Sequence, residues 1–341
     1  LGQHKLEIQE FEDPTPGPDE VILEIKASGM CGSDLKVYRA VEGPSSLGLG
    51  GEDKQVIAGH EPCGTIVELG KNVNKNNFKK DMNVMQHHYK GCGTCVHCST
   101  GWQQLCVDGV KEVFGVTGHG AHAKYMKCPA DTLVKLREDI SFKSGAAISC
   151  GTGTAWGAID RLCLRSHETL AVFGLGPVGL SAVMIASSMG VNVIALDTNQ
   201  KRLNRAKSFG AENILNPMKI DNVVDAIKDL TNGLGAHSSI DASSSSEARS
   251  QSLKCLRTWG KACFVGEGGN VDIDVSFIFF LELVSNHEDH WSAPQSHKRL
   301  GDIYLSKDDL DNAKAKYNFV LKNYPNNSVS SIVLQILENM E

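Results

Sequence analysis

The chain has 341 residues with a formal net charge of −6, and 41% of its residues are hydrophobic. This length predicts two or three domains with sizeable cores, and an acidic chain without a basic stripe is not expected to bind nucleic acid. The longest strongly apolar run near the end, residues 275–281, is far shorter than the roughly 20 residues that span a membrane. The N-terminal residues lack a secretory pattern, so we expect a cytoplasmic protein without a membrane partner.

Residues 5–27 are typical of a β-hairpin. A proline-rich turn at 14–18 precedes the alternating residues 21–25, the pattern of a half-buried strand. Cys31 follows shortly afterwards, and by itself such a cysteine is more often a small buried side chain than a metal ligand. Its role therefore depends on the residues around it.

Residues 59–73 contain the pattern G-H-E-x2-G-x5-G-x2-V, which includes His60. Together with the C-G-S-D segment that starts at Cys31, it resembles the zinc signature and first ligand segment of the zinc-dependent medium-chain alcohol dehydrogenases. The resemblance implies a GroES-like, β-rich catalytic domain followed by a doubly wound parallel (Rossmann) nucleotide-binding domain. It also implies that Cys31, His60 and Cys150 bind a catalytic zinc, whose fourth tetrahedral position is left for water or an alcohol oxygen.

The same resemblance assigns roles to the neighbours of these ligands. Ser33 corresponds to the hydroxyl that passes the substrate proton outward, and Glu61 to the acid behind the zinc. Asp34 corresponds to the carboxylate that orients His60. A histidine often ends this proton relay in the family at the position of Lys36. Because a lysine with an unperturbed pKa of about 10.4 accepts protons poorly at neutral pH, the end of the relay stays open.

Four further cysteines lie within one short segment, in a C-x2-C-x2-C-x7-C array. They are Cys92, Cys95, Cys98 and Cys106. Tight turns at this spacing bring four thiolates to the corners of a tetrahedron, which predicts a closed, structural zinc site, and the resembled family has such a lobe. Two disulfides or an iron–sulfur cluster are the alternatives.

The remaining cysteines and the nearby histidines are expected to have no ligand role. We expect the five cysteines outside these sets to be small buried residues: Cys63, Cys128, Cys163, Cys255 and Cys263. We expect three histidines close to the array to be solvated loop residues: His87, His88 and His97.

Two segments connect the metal-binding half to the rest of the chain. Residues 113–130 have the glycine density and short alternations of barrel-like β structure. Residues 144–162 are rich in small side chains and predict a helical link that includes Cys150.

Residues 170–197 predict a strand, a glycine-rich turn, a helix, a second strand and an acid at Asp197. In the turn G-L-G-P-V-G, Gly174 makes the tight turn, Gly176 lets the backbone approach a pyrophosphate, and Gly179 lets the helix pack on the strand. Val178 lies in the same turn, at the helix N-terminus that favours anions.

Asp197 is an acceptor for the ribose hydroxyls of adenosine and repels a 2′-phosphate, so NAD is favoured over NADP. Arg202 is within reach of the adenosine side of the cofactor, although a solvated helix face explains it nearly as well. A G-x-G-x-x-G motif is weak by itself, and an ordinary βα turn is the alternative interpretation.

Beyond Asp197, helices and strands continue to alternate, which predicts a parallel doubly wound sheet. Helices are expected at 199–209, 221–230 and 247–257, and strands at 213–215, 238–242 and 261–265. Residues 243–246 form a polar loop at the carboxyl end of a strand, where such sheets bind ligands. A plain surface loop is the equal alternative.

The resemblance to the dehydrogenases covers residues 5–276 and then fails. Residues 277–295 match nothing persuasively, although 281–285 have the composition of a last strand. Residues 294–327 reproduce the tetratricopeptide spacing of L-G-x2-Y at Leu300, followed by Ala313, Tyr317 and Pro325. One repeat does not bury its own faces, so the alternatives are a plain helical hairpin packed on the enzyme, a partner-binding repeat, or a join of two genes.

These expectations define a zinc-binding catalytic domain at 1–150, an NAD-binding domain at 151–290 and a tetratricopeptide-like segment at 291–341. The favoured function is an oxidoreductase with one catalytic and one structural zinc that transfers a hydride between an alcohol and NAD. A polyol dehydrogenase ranks lower, because those enzymes usually have a glutamate at the position of Cys150. The third hypothesis is a catalytically impaired scaffold acting through the C-terminal helices. A homo-oligomer is expected by resemblance.

Overall fold

The computed structural model describes residues 4, 6–40, 55–268, 270–271, 293–306 and 309–340. The first half of the chain is built on antiparallel strands with few helices. The strands are β1 Glu20–Ser28, β2 Pro62–Leu69, β3 Asn83–Gln86, β4 Tyr89–Lys90, β5 Glu112–Val113, β6 Tyr125–Pro129 and β7 Leu133–Lys135. Two helices accompany them, α1 Gly32–Arg39 and α2 Val96–Ser99. Short 3-10 turns lie at Gln103–Leu105 and Ala130–Thr132.

Five of these strands form one sheet in the order β6-β1-β2-β3-β7, and β4 pairs with β5 separately. Val21 opposes Leu69 of β2 and Cys128 of β6. Inward side chains of this sheet, among them Leu23, Ile66 and Met126, are almost completely buried. The predicted β structure at 113–130 is therefore present as strand ends joined by a glycine-rich loop.

The predicted N-terminal hairpin is wrong. Residues 6–17 contain no strand, and β1 pairs with β2 and β6 instead. The physical reason is that β1 already has a partner along each edge, β2 on one side and β6 on the other. No edge of β1 is left to pair with residues 6–13.

A helical link follows, as predicted for residues 144–162. It consists of α3 Phe142–Ala147, a π-helical turn at Ile148–Thr152 and α4 Gly153–Leu162. A π-helical turn inside a helix is uncommon and is found mostly at functional sites. Here it contains Cys150.

The second half of the chain is the predicted doubly wound sheet. Its strands are β8 Thr169–Phe173, β9 Asn192–Leu196, β10 Asn213–Leu215, β11 Ala236–Asp241 and β12 Leu256–Phe264. Its helices are α5 Pro177–Ser188, α6 Gln200–Ser208, α7 Val223–Asp229 and α8 Ser246–Lys254, with a 3-10 turn at Pro217–Lys219. All pairings are parallel, in the order β10-β9-β8-β11-β12. Residues 256–257, predicted to end a helix, begin β12 instead.

This strand order places a topological switch point beside β8. The chain runs from β8 outward through β9 to β10 and then returns to the other side of β8 with β11. Apolar clusters cover both faces of the sheet, one including Leu170 and Val172 and the other Ala171 and Phe173. Ligands of such sheets bind at the carboxyl ends of the strands at this point.

Three helices end the chain: α9 Ala293–Ser306, α10 Leu310–Asn323 and α11 Ser328–Glu338. They share an apolar core around Tyr317 and Val333. Gly301 permits a close helix crossing, since a Cβ there would overlap the Tyr317 ring, and the Asn327 side chain caps α11. The helical hairpin is therefore present, whereas the strand expected at 281–285 lies outside the described residues. Within the described helices, no stretch combines the length and apolar character needed to cross a bilayer.

Candidate active site and metal centres

The predicted catalytic ligands come from three distant segments that the fold brings together. Cys31 is the N-cap residue of α1, His60 and Glu61 directly precede β2, and Cys150 lies in the π-helical turn. One ligand atom from each of these four residues lies within 4.8 Å of every other. The three predicted ligands therefore offer two sulfurs and one imidazole, and the Glu61 carboxylate lies beside them.

Hydrogen bonding favours the thiolate form of Cys31 but not that of Cys150. Hydrogen bonds from the Cys150 thiol and the His60 imidazole lower the pKa of Cys31 to about 3, while the same contact with Cys31 and burial raise that of Cys150. Burial acts to lower the pKa of His60, but hydrogen bonds to Asp34 and Cys31 raise it to about 10. Because a thiolate is the form that binds metal, this donor set fits Zn²⁺, whose binding would displace the imidazole proton.

Asp34 joins two of these ligands. Its Oδ1 lies 2.9 Å from Nδ1 of His60, and its Oδ2 accepts the backbone N–H of Cys31 at 2.7 Å. A carboxylate on Nδ1 leaves Nε2 of the imidazole for a metal, the usual arrangement around metal-bound histidines. Asp34 therefore contacts the side chain of His60 and the backbone of Cys31, and its role in orienting His60 stays a prediction.

The other predicted catalytic residues lie close by. The Ser33 hydroxyl oxygen is 3.8 Å from the Cys31 sulfur. Glu61 is buried, and burial together with the nearby Cys31 charge raises the pKa of its carboxyl group. A Cβ at Gly29 would overlap that carboxylate, so a glycine at this position leaves room for the Glu61 side chain.

Lys36 contacts the nucleotide-binding half of the chain. Its Nζ lies 2.8 Å from Oε2 of Glu267, in the loop after β12. This ion pair joins the metal-binding half to the nucleotide-binding half, and both side chains are partly exposed. The sequence relates Lys36 only to the proton relay, and no local pattern indicates Glu267 as its partner.

Two histidines expected to be solvated are enclosed instead. His88 packs edge-to-face on His60, with the ring centroids 4.9 Å apart, and burial followed by the His60 charge lowers its pKa to about 3. Nε2 of His87 and Nδ1 of His88 are buried without a hydrogen-bond partner. The expectation of solvated loops is therefore wrong for both, because the chain around β4 turns them inward. His97 remains half-buried.

The four-cysteine segment forms a second cluster. Its sulfur atoms also lie within 4.8 Å of one another. Backbone N–H groups within the segment point at these sulfurs, from Cys92 to Cys106 at 3.2 Å and from Cys95 to Cys92 at 3.3 Å. All eleven cysteines are free thiols, which argues against two disulfides, and a four-sulfur donor set fits a closed zinc site.

The cysteines outside both clusters behave as expected with two exceptions. Cys63, Cys128 and Cys255 are buried. Cys163 is exposed because it ends α4 in a left-handed conformation with φ 52°. Cys263 is only half-buried.

The glycine-rich turn lies at the switch point of the parallel sheet. Gly174 has φ +87°, and a Cβ there would lie 2.7 Å from Cα of Ser243. Gly176 is the N-cap residue of α5, and a Cβ at Gly179 would overlap the Gly174 carbonyl oxygen. Gly174 and Gly179 thus have no room for a side chain, and the binding of a dinucleotide by this turn stays a prediction.

Asp197 directly follows β9, beside this turn. Its Oδ2 accepts the backbone N–H of Leu175 at 2.7 Å and its Oδ1 that of Asn199 at 2.8 Å. Arg202 approaches it from α6, with Nη1 3.5 Å from Oδ2. The Asp197 carboxylate is therefore fixed in place, with the Arg202 guanidinium beside it.

The two sites adjoin each other. A Cβ at Gly151, the residue after Cys150, would be 3.6 Å from Cβ of Pro177 and 3.9 Å from Cγ2 of Val178. The metal-ligand turn thus packs against the first turn of α5. Hydride transfer between a metal-bound substrate and a dinucleotide requires this proximity.

Comparison with known proteins agrees with this architecture. The family model for the alcohol dehydrogenase GroES-like domain matches residues 17–138, and that for the zinc-binding dehydrogenase matches residues 177–286. The second match extends past residue 276, where the motif resemblance ends. The fold class predicted from the sequence is confirmed.

Individual relatives give the same result. The chain is 34% identical over 281 residues to the uncharacterized zinc-type alcohol dehydrogenase-like protein YphC of Escherichia coli (strain K12), covering 81% of this chain and 78% of that protein. It is 31% identical over 278 residues to a sorbitol dehydrogenase of Halalkalibacterium halodurans, covering 81% and 77%. The solved alcohol dehydrogenase TADH from Thermus sp. ATN1 superposes with a TM-score of 0.70 at 25% identity, over 81% of this chain and 80% of that one.

The chain therefore belongs to the zinc-type medium-chain alcohol dehydrogenase family. The prediction of a zinc-dependent alcohol oxidoreductase is confirmed at this level. None of the comparisons supports a tetratricopeptide assignment for the C-terminal helices.

Proposed function

We propose that the protein is an NAD-dependent alcohol dehydrogenase with one catalytic and one structural zinc, oxidising a small alcohol to an aldehyde or ketone. One observation carries the proposal. The donor atoms of Cys31, His60 and Cys150 converge within 4.8 Å, and the residue after Cys150 packs against the first turn of the dinucleotide-binding helix. A metal-held alcohol and a nicotinamide would thus meet at one place.

The residues divide the reaction between them. Bound zinc would supply the Lewis acidity that brings an alcohol hydroxyl into its titrating range at neutral pH, and NAD would accept the hydride. Asp34 holds the imidazole of His60 with Nε2 free, and Ser33 takes the alcohol proton beside Cys31. Glu61 supplies a buried carboxylate behind the metal ligands.

Where the family often has a histidine at the end of the relay, this chain has Lys36. Its Nζ lies 2.8 Å from Oε2 of Glu267, outside the catalytic cluster, so the relay is proposed to end elsewhere. We infer that Ser33 delivers the proton to solvent or to a hydroxyl of the bound cofactor. A Ser33→Ala variant should lose turnover while keeping its zinc.

NAD is the proposed cofactor rather than NADP. Asp197 is fixed by two backbone N–H groups at the end of β9, where its charge opposes a 2′-phosphate. Arg202 lies on the exposed side of Asp197, with Nη1 3.5 Å from Oδ2. The ratio of kcat/KM for NAD to that for NADP tests this, and a preference for NADP would contradict it.

A polyol substrate is the second candidate, because a sorbitol dehydrogenase is among the relatives. Cys150 as the third ligand argues for the simple alcohol dehydrogenase instead. A panel of primary and secondary alcohols, vicinal diols and sorbitol, assayed by NADH formation, separates these substrate classes.

The scaffold hypothesis and the tetratricopeptide-like assignment depend on the same assay. The helices α9–α11 have a core of their own, which suits a partner-binding module. A protein that binds NAD but turns over no alcohol would favour a scaffold that binds a protein partner through these helices. Robust turnover would leave that module as an addition to an enzyme.

Quaternary structure and location are proposals as well. We propose a homo-oligomer assembled through the nucleotide-binding domain, and a monodisperse monomer in light scattering would contradict it. We propose a cytoplasmic location because eleven free thiols suit a reducing compartment.

Elemental analysis provides the decisive first test. Two zinc ions per chain are expected for the wild type. His60→Ala should retain one, held by the four-cysteine segment, whereas the matched control His167→Ala should retain both. One zinc in the wild type would contradict the catalytic assignment, whatever alcohol is tried.

A further inference from the structure

A buried ion pair lies beneath the carboxyl edge of the parallel sheet and belongs to none of the predicted sites. Asp241 is the last residue of β11 and is fully buried, and Arg249 on α8 is 6% exposed. Nε of Arg249 is 3.0 Å from Oδ2 of Asp241. Burying two charges is costly unless hydrogen bonds satisfy the atoms that remain. The partners of this pair therefore indicate its role.

On one side, Asp241 fixes the backbone that supports the dinucleotide-binding turn. Its Oδ1 accepts the N–H of Ser243 at 3.0 Å and the hydroxyl of the same serine at 2.6 Å. Gly174 packs directly on that backbone, because a Cβ at Gly174 would lie 2.7 Å from Cα of Ser243. Displacing Ser243 would displace the glycine-rich turn.

On the other side, Arg249 fixes the loop after β12. Its Nη2 donates to the carbonyl oxygen of Gly266, and its guanidinium lies over the Phe264 ring, 5.4 Å from the centroid. Gly266 also packs tightly, because a Cβ there would lie 2.6 Å from the Ser244 nitrogen. Both loops at this edge of the sheet are therefore held by the same guanidinium and carboxylate.

The loop held by Arg249 reaches the metal-binding half of the molecule one residue later. Glu267 forms the 2.8 Å ion pair with Lys36. Lys36 lies on α1, the helix that begins after Cys31 and contains Asp34. A continuous set of contacts therefore runs from the glycine-rich turn through the buried pair to α1, the helix that begins after the metal ligand Cys31.

We infer that Arg249 is a positioning residue for hydride transfer, which sets the separation between the dinucleotide-binding turn and the metal-ligand helix through Asp241, Gly266 and the Glu267–Lys36 pair. The inference rests on the proposed function, since it concerns the geometry of that reaction. Reacting atoms must approach to about 3–3.5 Å, and a misplacement of about 1 Å costs roughly a hundredfold in rate. Arg249 itself touches neither predicted metal ligand nor turn glycine among its described contacts.

The conservative variant Arg249→Lys provides the main test. Lysine keeps a positive charge for Asp241 but lacks the planar fork that bonds Asp241 and Gly266 together. We expect kcat, expressed per NADH-binding site, to fall by about 10- to 100-fold, as for a sub-ångström to 1 Å misplacement, with the zinc content unchanged. The matched control Arg137→Lys, in an exposed pair with Asp139, should behave as wild type.

A purely structural role would give a different result. It would lower the melting temperature and the fraction of protein that binds NADH, while kcat per binding site stayed at the wild-type value. That outcome would overturn the inference. Glu267→Gln, at an exposed position, provides a second variant without a folding risk. It should lower kcat less, and combined with Arg249→Lys it should add nothing further, whereas multiplicative effects would contradict the proposed path.

Failure of the proposed function is distinguishable from failure of this inference. If no alcohol is oxidised by the wild type, NADH affinity measured by fluorescence still tests the positioning role of Arg249. Arg249→Lys should weaken NADH binding, because Ser243 and the glycine-rich turn that packs on it through Gly174 would shift. Arg137→Lys should leave NADH binding unchanged. Equal affinities of the two variants and the wild type would overturn the positioning role in that case as well.

Discussion

The two proposed metal sites are built in opposite ways. The four-cysteine site takes all its ligands from one segment, Cys92 to Cys106, and its own backbone N–H groups point at the sulfurs. The catalytic set takes Cys31, His60 and Cys150 from an N-cap, a strand entry and a π-helical turn. The local site needs only its own segment to fold. The dispersed site forms only when all three segments have come together in the folded protein.

This difference separates what each zinc does. A closed set of four sulfurs leaves no position for a substrate, while three protein ligands leave one. The dispersed site also adjoins the dinucleotide-binding turn through Gly151. Substitutions in the two sites should therefore affect activity and stability in different proportions.

The largest effect on activity is expected from Cys150→Ala. Loss of Lewis-acid stabilisation worth several kcal/mol, at about 1.4 kcal/mol per tenfold, predicts a fall of about a thousandfold or more in kcat/KM. Elemental analysis should show one zinc remaining in the four-cysteine site. The control Cys263→Ala, a half-buried thiol outside both sets, should keep both metals and full activity. Loss of both metals from Cys150→Ala would show that the sites are not independent.

Chelation should reproduce this loss without mutation. Dipicolinate should remove the catalytic zinc first, because that site keeps an open position and the four-sulfur site is closed. Activity should fall in step with the first zinc released, while circular dichroism stays unchanged, and added Zn²⁺ should restore turnover. Simultaneous loss of both metals would contradict the proposal that the catalytic site is open and the four-cysteine site is closed.

Asp34→Asn should have an intermediate effect. The carboxylate that orients His60 and accepts from Cys31 acts on the metal through its ligands, and such partners are typically worth about 10- to 100-fold in metal affinity or activity. A zinc titration against a competing indicator measures the affinity directly. Asp139→Asn, which changes an exposed acid, is the matched control. An equal zinc affinity of the two variants would contradict a role for Asp34 in holding the metal ligands.

The same contrast between local and dispersed contacts explains which features were predictable from sequence. The four-cysteine cluster follows from spacing, and the strand, turn and helix around Gly174 follow from periodicity and glycine placement. Convergence of Cys31, His60 and Cys150 was expected only through the resemblance to a family. No periodicity relates residues so far apart.

Features that depend on tertiary contact were missed. The Lys36–Glu267 pair joins residues 231 positions apart, and the burial of His88 against His60 depends on how β4 is placed. The hairpin predicted at 5–27 fails for the same reason, because the partners of β1 are the distant strands β2 and β6. A turn signal alone does not show which strands pair.

The smallest effect on activity, and a clear effect on stability, is expected from Cys98→Ser. This buried sulfur belongs to the closed site, 4.0 Å from the Cys92 sulfur, and a Cβ at Gly91 would overlap it. Structural zinc contributes several kcal/mol, and each kcal/mol lowers the melting temperature by about 2–4 °C in a domain of this size, so a fall of about 5–10 °C or more is expected. The catalytic zinc should remain bound.

At temperatures below that transition, kcat/KM of Cys98→Ser should stay close to the wild-type value, because no atom of the four-cysteine segment belongs to the catalytic donor set. Limited proteolysis should cut the variant first within residues 92–106, because loss of the metal would remove the link that holds this segment together. The exposed Cys163→Ser is the control for loss of a thiol. A large loss of activity in Cys98→Ser with the catalytic zinc retained would mean that the local site also supports the dispersed one, through the β4–β5 pair that links His88 to the segment.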